Sequence, residues 1–266
     1  PVYCTAATVD LLQVMLKDSA YIQEKETEWR NKSRRRHQST QEIAPLYTVA
    51  QAEALLKQLS RVDYDEEITP HPSIRCIFRD AGHILGSSII ELWIKKHTGY
   101  KKIVFSGDLG QPGHPIVRDP AIIQQADILL IESTYGNRLH RSMSATLDEL
   151  VDAINDTLIK KAGNVIIPAF TVGRTQDLLF LLVDLYRQGR LGDMDIYVDS
   201  PMAKAATEIT LKHMPLLDKE ASDAVQWMDK SARKPQIHFV QDIEESMQLN
   251  HIKHGAIIIS ASGMCD

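Results

Sequence analysis

The sequence predicts an α/β protein built as two units, and three observations carry that prediction. Short runs rich in Ile, Val, Phe and Trp crowd the first half. From about Leu139, strand-like and helix-like segments alternate regularly. The residues able to do chemistry fall just after apolar strands, where α/β folds build their sites. At 266 residues the chain is long enough for one large domain or two ordinary ones.

Taken in order, Thr8 to about Arg30 places Leu11, Leu12, Met15, Ala20 and Ile22 on roughly one helical face. Thr48 followed by Gln51 makes a capping box, so a second helix starts there with Ala52, Leu55, Leu56 and Leu59 on one stripe. SIRCIFRD, SSIIELWI and KKIVFSGD then read as neighbouring strands of one sheet, separated by Gly-containing turns. ADILLIES adds a strand so uniformly apolar that burial on both faces is expected. These segments make a first unit over residues 1–138.

In the second unit, 139–266, a helix near Ser144 stacks Leu147, Leu150, Val151, Ile154 and Leu158. NVIIPAF is expected to be a buried strand, and Thr175 to Arg187 a helix facing inward through Leu178, Leu179, Leu182, Val183 and Tyr186. DIYVDS, a helix after Pro201, a helix over Ala221 to Met228, IHFV and AIIIS continue the alternation, which argues a parallel sheet covered by helices.

Hydrophobic residues at 44% and charged residues at 24% exclude a disordered or fibrous chain. No apolar run nears the roughly 20 residues a membrane span needs, so no membrane partner is expected. Pro1-Val2-Tyr3-Cys4 carries no secretory signal, and the absence of an initiator Met points to missing upstream sequence. Cys4, Cys76 and Cys265 form neither a disulfide framework nor a Cys-x-x-Cys metal site, which fits a reducing cytoplasm. The net charge of −5 rules out a basic nucleic-acid coat, so a polyanion would need local sites or metal. Arg30, Lys32, Arg34, Arg35 and Arg36 form the one basic cluster. It reads as a solvated helix end or as an RNA-contacting patch.

Four strand-end segments can carry chemistry. In DAGHILGS, small residues around His83 let backbone approach closely and the imidazole face a cavity. In FSGDLG, Asp108 is free to project from the sheet edge as a carboxylate ligand. In ESTYG, Glu132 would be costly on a buried strand unless paired, hydrogen-bonded or near a cation. In SASGM, hydroxyls and a glycine can present donors to a phosphate. Taken singly, each also reads as an ordinary turn. In order, His83, Asp108 and Glu132 are each about 25 residues apart at successive strand ends, as a hydrolytic metal site spread over one sheet requires.

DAGHILGS, FSGDLG and ESTYG, followed by PAFTVGRTQ, VDSPMA and SASGM, resemble the β-CASP branch of the metallo-β-lactamase superfamily across nearly the whole chain. That branch includes bacterial and archaeal ribonucleases and the eukaryotic pre-mRNA 3′-end processing endonuclease. The resemblance implies a metallo-β-lactamase fold, an incomplete αββα sandwich with its N-terminal part missing, plus a β-CASP parallel-sheet α/β domain with its C-terminal part missing. It implies a zinc-dependent ribonuclease with two zinc ions acting on single-stranded RNA. His83 and Asp108 match metal ligands, Asp108 as the carboxylate bridging the ions. Glu132 matches the acid that orients a catalytic His. Arg174, Ser260 and Ser262 fall in segments that line the RNA channel and are phosphate-contact candidates.

The family's His-x-His-x-Asp-His motif is not in the sequence and is expected upstream of Pro1, and the catalytic His and last metal-ligand His are expected after Asp266. The 266 residues alone are therefore expected to be inactive. An inactive RNA-binding scaffold and a small-substrate metallo-hydrolase are the alternatives, and homo-oligomerisation is left open.

Overall fold

The computed structural model describes residues 1–36, 42–114, 116–139 and 141–261. Strand β1 (Val2–Thr5) leads into the 31-residue helix α1 (Ala6–Arg36). Helix α2 (Val49–Leu56) starts on the expected capping box: Thr48 accepts the Gln51 backbone N–H, and the Gln51 side chain accepts that of Thr48. Strands β2 (Leu59–Val62), β3 (Glu67–His71), β4 (Ile74–Asp80), β5 (Ser88–Lys96), β6 (Gly99–Phe105) and β7 (Ile128–Leu130) follow. The remaining elements are α3 (Met143–Asn155), β8 (Val165–Ala169), α4 (Arg174–Arg187), β9 (Asp195–Asp199), α5 (Pro201–Lys212), α6 (Lys219–Lys230), β10 (Gln236–Phe239), α7 (Ile243–Leu249) and β11 (Ala256–Ala261).

The first half forms a five-stranded mixed sheet in the order β3-β4-β5-β6-β7, antiparallel except where β7 runs parallel to β6. The second half forms a four-stranded sheet, β10-β9-β11-β8, parallel throughout. No described strand joins these two sheets. A small parallel pair, β1 with β2, stands beside them. The second sheet is packed by Val151 and Ile154 of α3, Leu179, Leu182 and Leu185 of α4, and Ala203 of α5 against Ile196, Val198, Ile257 and Ile259.

Four local expectations are corrected. Ile128 to Ile131 are not buried on both faces: β7 is an edge strand paired only with β6, and Ile131 is 61% exposed. The NVIIPAF strand is likewise an edge, β8, with Ile166 at 70% exposure. Apolar composition records that a strand can be covered on both faces but not which element does so. Leu59 belongs to β2 rather than to the second helix, which ends at Leu56. Strands β1, β2 and β3 and helix α7 were not expected: VYCT, LSRV, EITPH and IEESMQL are short and too mixed in polarity to stand out from the segments around them.

The halves meet on a shared core. Ala7 and Leu11 of α1, Leu85 and Ile116 pack with Ala206 of α5, Leu217 and Ala221 of α6. Beside it, Asp10 of α1 is only 6% exposed. Its carboxylate accepts from Arg61 of β2 at 3.0 Å, from Lys212 of α5 at 2.7 Å, and contacts His213 Nε2 at 2.8 Å. Burial pushes the Asp10 pKa up, but Lys212, His213 and Arg61 outweigh it and hold it below the usual carboxylate range. Glu91 in β5 follows the same pattern: burial opposes ionisation, and Lys102 with Arg79 over-compensates. A second clasp pairs Val117 with Leu217, the Asp218 N–H donating to Ile116 O at 2.9 Å.

Asp10→Ala removes the shared acceptor of Arg61, Lys212 and His213 and is expected to cost about 1–3 kcal/mol in urea unfolding. The lowered folded pKa means Asp10 stabilises fully above its unfolded value of about 4, and the contribution is lost as pH falls through the folded value. The melting-temperature gap between wild type and Asp10→Asn should therefore be constant above about pH 4 and close below it. A gap that persists to the lowest pH at which the protein folds would contradict the assignment.

Candidate functional site

Two motif loops are brought together backbone to backbone. The loop after β4 carries His83, and the loop after β6 carries Asp108. Gly110 N–H donates to Ala81 O at 2.9 Å, and a Cβ built on Gly110 would lie 1.5 Å from Gly82 O. Only glycine allows that approach, because any side chain at position 110 would overlap the Gly82 carbonyl. The His83 loop is also tied internally: Ser87 Oγ accepts the His83 and Ile84 N–H groups, Asp80 accepts the Gly82 N–H at 2.9 Å, and Tyr64 donates to Ser87 O at 2.8 Å. From the end of β1 and the first turn of α1, the Thr5 and Thr8 hydroxyls each donate to Gly86 O at 3.0 Å.

These ties leave His83 Nε2 3.9 Å from Asp108 Oδ2, both side chains reaching solvent. They sit at one end of a cleft of about 610 Å³. Thr8, Leu11 and Met15 of α1 form one wall and Phe170, Thr171 and Val172, following β8, form the facing wall. The cleft is thus built from both halves of the chain, which α1 joins.

Glu132 follows β7 and is half-buried. Its carboxylate accepts the Leu109 N–H, and its own N–H donates to Ser106 Oγ at 3.0 Å. The Leu109 N–H and then Thr134 hold its pKa below the usual carboxylate range, with His83 adding a smaller push the same way. An ionised Glu132 therefore fastens the strand end to the residue following Asp108. Hydrogen bonds satisfy it, in place of the buried-strand setting that composition suggested.

Arg174 opens α4, with Nη1 3.7 Å from Asp177 and its side chain 62% exposed. Gly173, the residue before it, has φ +83° and ψ −78°, and a Cβ there would lie 2.7 Å from the Ile84 side chain. The start of α4 therefore lies against the His83 loop. Ser260, near the end of β11, is in register with Pro168 of β8, on the sheet edge that also launches Phe170–Gly173. It makes no contact with His83 or Asp108 among the described residues. Ser262 lies outside the described residues.

Two residues not singled out from sequence complete the cluster. Asp177, largely buried, has its pKa pushed up to about 6 by burial, against the pull of Arg174 and His83. His114 Nε2 lies 3.6 Å from Asp177, and His114 Nδ1 is buried without a partner among the described atoms. Burial, followed by Arg174 and His83, pushes the His114 pKa down and favours the neutral ring. An acid three residues after Arg174, in the first turn of a helix, was a legible sign for Asp177. Nothing in GQPGHP distinguishes His114 from a turn residue.

Residues 175–266 match the Beta-Casp domain. The chain is 30% identical over 269 residues to ribonuclease TTHA0252 of Thermus thermophilus, covering 99% of this chain and 55% of that protein. It is 29% identical over 266 residues to an RNase J-like protein of Methanocaldococcus jannaschii, again 99% of this chain and 55% of that one. It is 30% identical over 269 residues to the transcription termination factor FttA of Methanothermobacter thermautotrophicus, of which it spans 39%. The chain thus spans about half the length, or less, of these relatives.

The raised pKa of Asp177 means its ionisation is unfavourable in the folded state. It destabilises the fold progressively as pH rises from its unfolded value of about 4 to its folded value of about 6, and by a constant amount above. Asp177→Asn should therefore melt higher than wild type at pH 7, by about 2–3 kcal/mol at most, with the advantage fading towards pH 4. Equal melting curves at both pH values would show that Asp177 is not held in this environment.

Proposed function

We propose that the chain is part of a β-CASP metallo-β-lactamase-fold ribonuclease and carries the substrate cleft and part of the metal centre that hydrolyses single-stranded RNA. The observation that carries the proposal is the pairing of His83 and Asp108, 3.9 Å apart, at one end of a cleft walled by both halves of the chain. A small substrate would not require the second wall, whereas a polymer running through the cleft would.

Imidazole nitrogen and carboxylate oxygen are suitable zinc donors, and their 3.9 Å separation is within about 1 Å of the roughly 3.3 Å between neighbouring ligand atoms of a tetrahedral zinc. No group of three or more His, Cys, Asp or Glu residues able to hold a metal occurs among the described residues. His83 and Asp108 therefore fit as part of a ligand set, and the other ligands of a two-zinc centre are assigned to the rest of the full-length protein. Bound zinc would supply Lewis acidity and a water of pKa about 7.

The remaining roles belong to this chain. His83 and Asp108 would hold the metal, one through an imidazole nitrogen and the other through a carboxylate oxygen. Glu132, kept ionised by the Leu109 N–H and Thr134, orients the imidazole acid that protonates the leaving oxygen. The exposed Arg174 guanidinium, steadied by Asp177, takes a phosphate, and Ser260, in register with Pro168 of β8, adds a donor, with Ser262 proposed as a further one on its sequence motif alone. A cytoplasmic location accompanies this reading, supported by two buried free thiols: burial pushes Cys76 up to about 11 and raises Cys4 as well. No described helix is long and apolar enough to cross a membrane.

In the full-length protein, Asp108→Ala should lower RNA cleavage by at least about 100-fold while RNA binding stays within a few-fold of wild type. Arg174→Ala should weaken RNA binding and reduce the slope of log K against log salt by about 0.7, the value for one lost phosphate contact on a single strand. Chelator-insensitive cleavage by Asp108→Ala would refute the mechanism. Wild type that binds RNA but cleaves none would favour the scaffold reading.

A further inference from the structure

Helix α1 changes character along its length. Its buried residues are Ala7, Val9, Asp10, Leu11 and Ala20, and beyond Ala20 none is buried. The distal half is nevertheless braced on one side. Glu24 accepts the Val49 N–H at 3.1 Å, and Asn31 exchanges two hydrogen bonds with the Ile43 backbone, at 2.9 and 3.0 Å. Nearly opposite those contacts, Met15, Ile22, Trp29 and Arg36 recur every seven residues and are all exposed, Trp29 at 70%. A seven-residue step drifts only about 20° around a helix, so the four form one line rising about 10 Å per step. Met15 is a wall of the cleft that holds His83 and Asp108.

The charge at the distal end of this line is basic, with Asp18 on the same face nearer the cleft. Lys25, Lys32 and Arg36 lie within about 60° of Trp29 around the helix. From Trp29 to Arg36 there are five cations and no acid, in a chain whose net charge is −5. The nearby acids are engaged, Glu28 with Lys25 at 3.1 Å and Glu26 with Arg30 at 3.6 Å. Lys32 and Arg36 have no ion pair among the described residues. Trp29 stacks on no other ring among them. An exposed aromatic face set among cations is the arrangement that binds single-stranded nucleic acid without reading sequence.

We propose that the exposed face of distal α1, Ile22–Trp29–Arg36 flanked by Lys25 and Lys32, is an exit track for single-stranded RNA leaving the cleft, with a base stacked on Trp29 and phosphates on Lys32 and Arg36. The proposal rests on the ribonuclease reading. The line runs from Met15 to Arg36, about 31 Å, so only RNA longer than the cleft can reach Trp29.

The test uses full-length protein in an Asp108→Ala background, so that RNA is not consumed, with oligouridylates of about 5 and about 20 nucleotides. Replacing Trp29, Lys32 and Arg36 together by Ala should weaken binding of the longer oligomer at least about tenfold and lower its salt slope by about 1.4, for two lost cations. The shorter oligomer should bind as before. Trp29→Phe should keep most of the affinity while abolishing the tryptophan quenching that the longer oligomer causes. All three positions are exposed, and single Lys32→Gln and Arg36→Gln variants give the same slope test with less perturbation. If wild type binds neither oligomer, the ribonuclease reading falls and this proposal with it. If wild type binds both, and the triple variant binds the longer one with unchanged affinity and slope, the exit track alone is overturned and the face serves a protein partner.

Discussion

The geometry of the cleft depends on one buried carboxylate. Asp10 sits where α1 crosses from β2 to α5, and its two oxygens are shared among Arg61, Lys212 and His213. A lone carboxylate at 6% exposure would be strongly destabilising. With Arg61, Lys212 and His213 as partners it becomes a directional link between α1, β2 and the end of α5. Hydrophobic packing of Ala7, Leu11, Ala206 and Ala221 favours close approach of α1 to α5 and α6 but tolerates sliding. The ion cluster fixes the register of that approach, and hence the distance between the α1 wall of the cleft and the Phe170–Val172 wall.

A second constraint acts at smaller scale. His83 and Asp108 belong to loops 25 residues apart, and what joins them is the absence of side chains at Gly82 and Gly110. Their backbones touch, the Gly110 N–H bonds Ala81 O, and Glu132 then secures Leu109 from the far strand. Three chain segments thus hold two candidate ligands whose own side chains remain exposed. Such preorganisation places the supporting interactions in backbone and neighbouring residues and leaves the donor atoms free.

What was legible in the sequence follows from the range over which each signal acts. Helix α2 was readable because its capping box is local, and α4 because its inward stripe spans fourteen residues. The parallel second sheet was readable because strand–helix alternation permits little else. The exposure of Ile128–Ile131 and of Ile166 was not readable, since edge position is a property of the whole sheet rather than of the segment. The same limit governs the site. His83, Asp108 and Glu132 announced themselves as polar residues at strand ends, whereas His114 and the Asp10 network exist only through contacts between distant segments.

The distribution of charge shows how an acidic protein could still hold a polyanion. A net charge of −5 gives no long-range attraction, and at physiological salt fields beyond about 8 Å are screened in any case. Binding must then be local. Several basic groups are neutralised within the fold: Arg79 and Lys102 by Glu91, Arg61 and Lys212 by Asp10, Arg187 by Asp184. Lys32 and Arg36 are not so engaged among the described residues, and Arg174 is met only at 3.7 Å by a carboxylate that burial makes reluctant to ionise. Cations spent on structure cannot grip a phosphate without first leaving a partner, and those left over lie beside the cleft and along the helix that leads from it. An RNA strand on this surface would therefore be held by position rather than by overall field. That favours release once the strand is too short to reach both places.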